Sequence, residues 1–419
     1  MSRPANEATL PFWDDFSITT ADSPDSIRVW ERDTSFQWNY QLSKDVFVNA
    51  TLAINPPSYR VATFDGLDGN GAFHTDAKPW ADQLVSDTID LQGKTDVVLS
   101  FYWQAGGNVE IPEAGDSLIL EFFNPLDTGN EWHQVWSIDG SEIINGEDTI
   151  FTQVAQEVTS EFLTQKFLFR FQSFGDKDGP FDAWHLDYIF LSDARGEDDF
   201  YYDDISLNTP QTSPFTPFNA VPVNQLLSNL NTYSGTVSVT ASALEKPDQS
   251  QVGVPARYKI ELRELISSTF IDSVDFGDQP TIPVNPDPLS LTSSLKVQTR
   301  DFDLSGLPSF DSLILENKVF IKDNIDSLFD TLNIDQFNDT IRTQILLHNY
   351  YAFDDGTAEF AAGTNISGGQ VAVQYWLEEP DTLTHLDIYF PQIDPLSDTR
   401  PLTLNVFKRL DGGNPIRTQ

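Results

Sequence analysis

The chain has 419 residues, no cysteine and a formal net charge of −40. Such a charge disfavours nucleic acid and anionic lipid as partners, because like charges repel, and the lack of cysteine excludes disulfides and thiolate metal sites. A hydrophobic content of 39% is sufficient for packed cores. The sequence contains no apolar run of the roughly 18 residues that a membrane-spanning helix needs. We therefore expect no nucleic-acid binding and no membrane insertion.

Residues 10–207 are predicted to form one large all-β unit. Apolar and polar side chains alternate in several of its segments, as in 117–123, where Leu118, Leu120 and Phe122 share one face. A period of two is typical of strands that bury one face of a sheet. About 200 residues with this pattern and no convincing helix predict a jelly-roll β-sandwich.

Three further parts are predicted beyond residue 207. Residues 208–225 are rich in proline, threonine and serine and predict a linker, because proline disrupts a central strand. Residues 226–346 alternate again and predict a smaller, Ig-like β-sandwich. Residues 347–419 predict an incomplete third β module. Its predicted strands are 370–377, 384–390 and 402–410.

A four-letter esterase motif occurs at Gly115–Leu118, where Ser117 would be the nucleophile, and Asp182 and His185 have the spacing of its second motif. A serine nucleophile of this kind lies where a strand turns sharply into a helix. Here the residues before Ser117 are turn-like and those after it are strand-like. We therefore expect Ser117 to begin a strand and expect the chain to contain no catalytic site.

Four aspartates are candidate ligands for a metal ion. Asp14 and Asp15 lie near the start of the predicted jelly roll, and Asp182 and Asp187 lie near its end. The first and last strands of a jelly roll commonly lie side by side, which would bring these carboxylates together. Clustered carboxylates repel one another unless a cation joins them, and calcium prefers oxygen ligands. The sequence therefore predicts a structural calcium site.

Two tryptophans are candidates for binding a ligand. Trp80 and Trp132 flank predicted turns, whereas Trp103 and Trp136 lie within strand patterns. Exposed aromatic rings can stack on sugar rings. The alternative interpretation is that both pack in the core or at its rim, because buried tryptophan is common in sandwiches.

An ordered series of segments in the first unit resembles a known family. The segments are "FDGLDGNG" (64–71), "WADQLVSDTIDLQG" (80–93), "VVLSFYWQAGGNVEIPEAGDSLILEF" (97–122), "WHQVWSIDG" (132–140) and "KFLFRFQSFGDKDGPFDAWHLDYIFL" (166–191). They are similar to the MAM-like, concanavalin A-like jelly roll of multidomain proteins exported by the bacterial type IX secretion system. The resemblance implies a cell-surface or secreted protein with non-catalytic sandwiches, and contact with that secretion machinery when the protein is full-length.

A short acceptor-like motif agrees with this resemblance. Aspartate followed by serine or threonine and then an aliphatic residue occurs ten times, whereas average residue frequencies would give roughly two or three. The motif looks like the O-glycosylation acceptor of bacteria that use this secretion route, with Thr88, Ser117 and Thr149 as candidate sites. The alternative is that these dipeptides simply form turns that lead into strands.

The function predicted from the sequence is non-catalytic binding or adhesion outside the cell, to a glycan or a surface protein. The first residues lack the apolar segment of a signal peptide, so export implies that this sequence is part of a longer chain. Two alternatives remain open. The chain could be the accessory part of a secreted hydrolase whose catalytic domain lies elsewhere, or a structural component of a cell-surface secretion or motility machine.

Overall fold

The fold is known here from a computed structural model. It describes residues 7–8, 10–17, 27–28, 38–39, 41–143, 150–196, 201–202, 204–228, 230–233, 235–244, 256–278, 293–298, 312–321, 338–355, 369–388, 403–408 and 414–418. These residues form mainly strands, most of them paired antiparallel, with a few short helices. The all-β prediction is therefore confirmed. In the part of the chain that the structure describes, no helix has the length and apolar character to cross a membrane.

The strands fall into three groups along the chain. Those of the first group are β1 Glu7–Ala8, β2 Phe12–Asp14, β3 Ile27–Arg28, β4 Phe47–Asn49, β5 Val61–Gly66, β6 Gln83–Val85, β7 Thr88–Ile89, β8 Val98–Ala105, β9 Ser117–Phe123, β10 Trp132–Asp139, β11 Thr152–Glu157, β12 Phe169–Phe174 and β13 Gly179–Ser192. The second group comprises β14 Ile205–Leu207, β15 Thr236–Ala243, β16 Ala256–Glu264, β17 Phe270–Asp278, β18 Ser293–Gln298, β19 Leu313–Ile321 and β20 Thr340–Leu347. The last group is β21 Asn405–Val406 and β22 Arg417–Thr418. The helices are a 3₁₀ turn at Gly140–Glu142, α1 Val223–Ser228 and α2 Leu230–Tyr233.

Most strands of the first group form a sandwich of two sheets, and β1 pairs with β7 in a separate two-stranded sheet. One sheet has the order β11-β8-β13-β5-β4-β3, with β2 also paired to β13, and the other has the order β10-β9-β12-β6. Strand β2 runs antiparallel to β13, with Asp14 opposite Ile189. In chain order, β2 is the first strand of this sheet and β13 is the last, and the two therefore lie side by side.

An aromatic core fills the space between these two sheets. Leu118, Leu120 and Phe122 of β9 alternate inward as predicted and are fully buried. The ring of Phe12 meets the ring of Phe169 edge to face at 5.0 Å. Phe12 also meets Trp38 edge to face at the same separation. Such edge-to-face pairs stabilise a core beyond the burial of area alone.

The second group forms a smaller sandwich. Its sheets have the orders β14-β15-β18 and β17-β16-β19-β20, and side chains of both sheets share one apolar core. Strand β14 pairs with β15, with Ile205 opposite Ala243. This strand therefore belongs to the second sandwich, although 205–207 lies inside the range predicted for the first unit.

The segment predicted as a linker is packed into the protein. Phe215, Phe218 and Val221 are buried and belong to the core of the second sandwich, and α1 begins at Val223. Proline keeps this segment out of the sheets, but it does not prevent the neighbouring apolar side chains from packing. Residues 208–225 thus contribute to a core as well as connecting two sandwiches.

The strands predicted at the end of the chain are largely not formed. Residues 370–377 and 384–388 are described and contain no strand, and Val371 is 70% exposed. Alternation suits a strand only where a partner strand pairs with it, and no pairing involves these residues in the described parts. Residues 386–419 form a separate unit, in which β21 pairs with β22. The rest of the predicted segment 402–410 is described as irregular or lies outside the described residues.

Replacing Leu120 with alanine tests the core assignment. Leu120 is fully buried, so Leu120→Ala should lower the free energy of unfolding by about 2–5 kcal/mol. Leu126 follows β9, the strand that contains Leu120, but is 80% exposed. Leu126→Ala should therefore change the free energy of unfolding by about 0.5 kcal/mol or less. Urea denaturation followed by tryptophan fluorescence measures both. Equal effects of the two variants would contradict the assigned core.

Candidate functional site

The esterase-like residues have structural roles. Ser117 begins β9, as predicted, and lies opposite Asp139 of β10. His185 is fully buried on β13, with Nδ1 2.8 Å from Thr63 Oγ1 and Nε2 3.0 Å from the Gly106 carbonyl oxygen. Burial lowers the pKa of His185 to about 4. Both ring nitrogens of His185 are therefore engaged in holding neighbouring segments, rather than in activating Ser117.

Asp14, the first predicted calcium ligand, is used as a hydrogen-bond acceptor. Its Oδ1 accepts from the Phe16 backbone N–H at 2.7 Å, and its Oδ2 accepts from Trp38 Nε1 at 2.7 Å. The second bond satisfies the polar atom of a tryptophan that is fully buried in the core. Asp14 thus orients Trp38 against the aromatic cluster.

Asp15 and Asp187 are brought together in the interior. Both are fully buried. The Ser58 backbone N–H donates to Asp187 Oδ2 at 2.7 Å, and Ser58 Oγ lies 2.9 Å from Asp187 Oδ1 and 2.8 Å from the Asp15 carbonyl oxygen. Burial, reinforced by the charge of Asp15, raises the pKa of Asp187 well above its usual range. These two of the four predicted ligands form one buried acidic site.

A local irregularity of β13 presents Asp187 to this site. The pairing of β13 with β8 shifts register between Asp187 and Phe190, and Tyr188 has a positive φ of 50°. A bulge of this kind re-aims side chains at one point of a strand. The Tyr188 backbone N–H donates to Asp187 Oδ1 at 2.6 Å, which fixes the carboxylate in place.

Asp182 lies away from the other three predicted ligands. It precedes Asp187 by five residues on β13, at an irregular point of the strand where its φ is 53°. Its Oδ2 accepts from the Asp176 backbone N–H at 2.9 Å. Burial, with smaller contributions from nearby acids that include Asp116 and Asp176, raises the pKa of Asp182 to about 6. The acids next to Asp182 are therefore not the other three predicted ligands, whereas Asp187 lies beside Asp15.

The two candidate tryptophans lie at opposite ends of the four-stranded sheet. Trp132 is opposite Phe123 at one end of β9, whereas Trp80 precedes β6, near the other end. The separation along the strands is roughly 20 Å. Each ring carries a cation on one face: Lys78 Nζ lies 4.1 Å from the Trp80 ring centre, and the Arg170 guanidinium lies 4.2 Å from that of Trp132. No single ligand-binding surface of ordinary size contains both rings.

Trp132 belongs to an aromatic and charged group on the outer face of this sheet. Its ring lies 5.2 Å from the Phe123 ring. Arg170 of β12 lies opposite Glu121 of β9, and their side chains form an ion pair. Gln134 of β10 is exposed and lies opposite Glu121 on the other side. The face thus combines flat rings with hydrogen-bond donors and acceptors.

Two of the three candidate glycosylation sites lie in the part of the chain that the structure describes. Thr88 and Ser117 are half-buried, at the first residues of β7 and β9. Both therefore fit the alternative interpretation that the motif leads into strands, while their partial exposure leaves them available for modification. Thr149 lies outside the described residues.

One polar cluster was missed by the sequence analysis. Asp45, His74 and Asp82 each offer a ligand atom, and these atoms all lie within 4.8 Å of one another. The three residues come from separate segments of the chain. Their spacing matches no metal-binding motif, so only the tertiary structure brings them together.

Comparisons with known proteins show weak similarities. No family model and no curated protein matches the chain. Among solved structures it is similar to the K1 cleaved adhesin domain of Lys-gingipain from Porphyromonas gingivalis W83, at 12% identity over 44% of this chain and 99% of that chain, with a TM-score of 0.26. It is also similar to the K2 cleaved adhesin domain of Lys-gingipain, at 12% identity over 43% of this chain and 99% of that chain, with a TM-score of 0.26. A third is the CBM27-1 module of Caldicellulosiruptor saccharolyticus, solved with mannohexaose, at 15% identity over 41% of this chain and 98% of that chain, with a TM-score of 0.25.

Neutralising Asp182 should stabilise the protein in a pH-dependent way. Its raised pKa means that ionisation near pH 7.5 opposes folding, whereas below about pH 4 the group is protonated in the folded state and this penalty disappears. Asp182→Asn should therefore raise the free energy of unfolding by about 1 kcal/mol at pH 7.5, after allowance for solvent screening, and have little effect at pH 4. Asparagine also tolerates the positive φ of 53° at this position.

Asp90 provides the matched control for Asp182. It is exposed, and its carboxylate likewise accepts one backbone N–H, from Gln92 at 2.9 Å. Thermal melts of Asp182→Asn and Asp90→Asn at both pH values make the comparison. A gain for Asp182→Asn that is equal at the two pH values, or equal in Asp90→Asn, would contradict the electrostatic explanation.

Proposed function

We propose that this chain is a non-catalytic binding protein of the cell surface or the extracellular space, and that its first sandwich recognises a neutral glycan. The observation that carries the proposal is the outer face of the four-stranded sheet, where Trp132, Phe123, Arg170 and Glu121 lie side by side. The resemblance of segments 64–191 to exported adhesive sandwiches supports the extracellular location. Export by the type IX machinery and O-glycosylation at Thr88 and Ser117 are parts of the same proposal.

The arrangement around Trp132 suits a sugar ring. Arg170 covers one face of the indole and fixes its orientation by a cation–π contact. In this proposal the accessible part of the half-buried ring stacks on the apolar face of a pyranose. Glu121 and Gln134 form the pair two residues further along the strands and supply a carboxylate and an amide, which bind hydroxyl groups by hydrogen bonds.

The charge of the protein selects the class of glycan. A net charge of −40 repels sulfated and uronic acid-rich chains, because the potential near the surface is strongly negative. A neutral oligosaccharide carries no such penalty. Trp80 is the weaker candidate, because the cation that covers its ring, Lys78, is itself paired with Asp76, which is also paired with Lys177.

A structural calcium ion is the second part of the proposal. It is assigned to Asp15 and Asp187, because both are fully buried and lie close enough for the charge of Asp15 to act on Asp187, whereas Asp182 lies among other acids. Two buried carboxylates on β13 and beside β2 would be held together by a cation that prefers oxygen ligands. Such an ion would favour the ionised form of Asp187, whose pKa is raised by burial.

Two alternatives to adhesion depend on other proteins or domains. The chain could be the accessory part of a secreted hydrolase, or a structural component of a cell-surface machine. In the first case the glycan site would serve to hold a substrate near a catalytic domain. In the second the outer sheet face would contact protein instead of sugar. Glycan binding by this chain alone would therefore support adhesion or the accessory role, and its absence would favour the structural role.

Glycan binding should depend on Trp132. On an array that carries neutral, sulfated and uronic acid-containing oligosaccharides, the full chain should bind neutral ones, and Trp132→Ala should weaken that binding about tenfold or more through loss of stacking. Trp80→Ala is the matched control, since it removes a half-buried tryptophan that also carries a cation on one face. An array with no neutral glycan bound, or equal losses in the two variants, would refute the proposed site.

Calcium should raise the thermal stability of the full chain. Binding to the folded state alone adds about 2.7 kcal/mol at a hundredfold excess over Kd, and magnesium should do less, because it demands stricter octahedral geometry. Melts in millimolar calcium and in chelator measure the effect. In Asp15→Asn combined with Asp187→Asn, the calcium-dependent shift should vanish whatever the starting stability of the variant. A full shift in this variant would place the ion elsewhere.

A further inference from the structure

The cluster of Asp45, His74 and Asp82 contains buried polar atoms whose hydrogen-bonding capacity is unused. The side chain of Asp82 is fully buried and that of His74 is 3% exposed. Asp82 Oδ1 and His74 Nε2 lie 3.7 Å apart, and neither has a hydrogen-bond partner among the described residues. A buried polar atom without a partner destabilises the folded state, because it has lost its hydrogen bonds to water. Two such atoms facing each other in one cluster therefore need an explanation.

Backbone groups orient both carboxylates toward the imidazole. Asp82 Oδ2 accepts from the Asp65 backbone N–H at 2.8 Å, and Asp45 Oδ1 accepts from the Gly69 backbone N–H at 2.9 Å. One oxygen of Asp82 is thus held by β5 and one of Asp45 by the loop that follows it. The other oxygens lie near the imidazole, that of Asp82 beside Nε2 and that of Asp45 4.0 Å from Nδ1. One ligand atom from each of the three residues lies within 4.8 Å of the other two. Anchoring of this kind is typical of the groups that orient metal ligands.

The separation of His74 Nε2 from Asp82 Oδ1 suits two ligand atoms of one ion better than a direct hydrogen bond. N–H···O bonds in proteins have donor–acceptor distances of about 2.7–3.2 Å, which the 3.7 Å separation of His74 Nε2 from Asp82 Oδ1 exceeds. Two ligand atoms that are each about 2.1 Å from a shared ion lie about 3.4–4.0 Å apart at open angles. The gap between the two atoms is therefore of the size that a bound divalent ion requires.

The local charge also favours a cation. The Asp65 carboxylate adds a third acidic group, whose charge acts on Asp82. Lys177, whose charge acts on His74, is itself paired with Asp76 at 2.7 Å.

We propose that His74, Asp82 and Asp45 bind a divalent transition metal ion, with zinc as the best match. A nitrogen ligand together with carboxylate oxygens suits zinc, whereas calcium takes oxygen ligands only. Water completes the coordination on the side of Asp45, whose side chain is 20% exposed. The ion would tie together the segments that carry these three residues, and this site is independent of the glycan face and of the Asp15–Asp187 pair.

Zinc titration of the full chain tests the proposal. After treatment with chelator, calorimetry should show one saturable zinc site of micromolar affinity or tighter at this cluster, and zinc should raise Tm. His74→Gln and Asp45→Asn, chosen because Asp45 is partly exposed, should each weaken zinc binding at least tenfold. Cobalt substitution should give the weak visible absorption of nitrogen and oxygen ligands without any thiolate band.

A second histidine–aspartate pair in the same sandwich serves as the control. His133 Nε2 lies 3.1 Å from Asp127 Oδ2 in an exposed setting, and His133→Gln should leave zinc binding unchanged. The alternative state of the cluster is a protonated imidazole held between two carboxylates without metal. Zinc binding that is absent, that is unaffected by His74→Gln, or that is matched by calcium at the same residues would overturn the proposal.

Discussion

Strand β13 is hydrogen-bonded along both edges, to β8 on one side and to β5 and then β2 on the other. Both of its faces are also covered. Trp184, Leu186 and Ile189 enter the core between the two sheets, while Tyr188 and Phe190 pack on the opposite face against Tyr202. A strand enclosed in this way cannot leave polar side chains in water, so each of its polar residues needs a partner inside the protein.

The polar residues of β13 meet this requirement in different ways. His185 is satisfied by Thr63 and the Gly106 carbonyl, and it thereby loses the freedom that a catalytic base needs. The Asp187 carboxylate accepts hydrogen bonds from Ser58 and from the Tyr188 backbone N–H at the bulge of β13. His185, the histidine of the esterase-like motif, is thus a structural residue. Asp187, two residues further along β13, forms with Asp15 the buried acidic pair for which we propose calcium.

Buried carboxylates recur at two places in the first sandwich, in a protein that already carries a large negative charge. At Asp15 and Asp187 the two paired side chains offer carboxylate oxygens, which suit a hard cation. At Asp82 one oxygen has no hydrogen-bond partner among the described residues and lies opposite an imidazole nitrogen, which suits a softer ion. The two proposed sites therefore differ in the chemistry of their ligands and can be separated by the choice of metal. The proposed glycan face lies on the outside of the four-stranded sheet, where Trp132, Arg170 and Glu121 are half-buried.

The sequence alone determined the all-β architecture, the inward faces of strands such as β9 and the role of Ser117 as the first residue of a strand. Alternation and turn residues are local properties, so they can be read without knowing the partners of a segment. Tertiary structure alone decided that 205–207 joins the second sandwich, that 370–377 forms no strand, and that Asp182 lies apart from Asp15. It also decided the meeting of Asp45, His74 and Asp82. These outcomes depend on strand pairing and on contacts between distant segments, and the pattern of any one segment carries no information about which other segment it will meet.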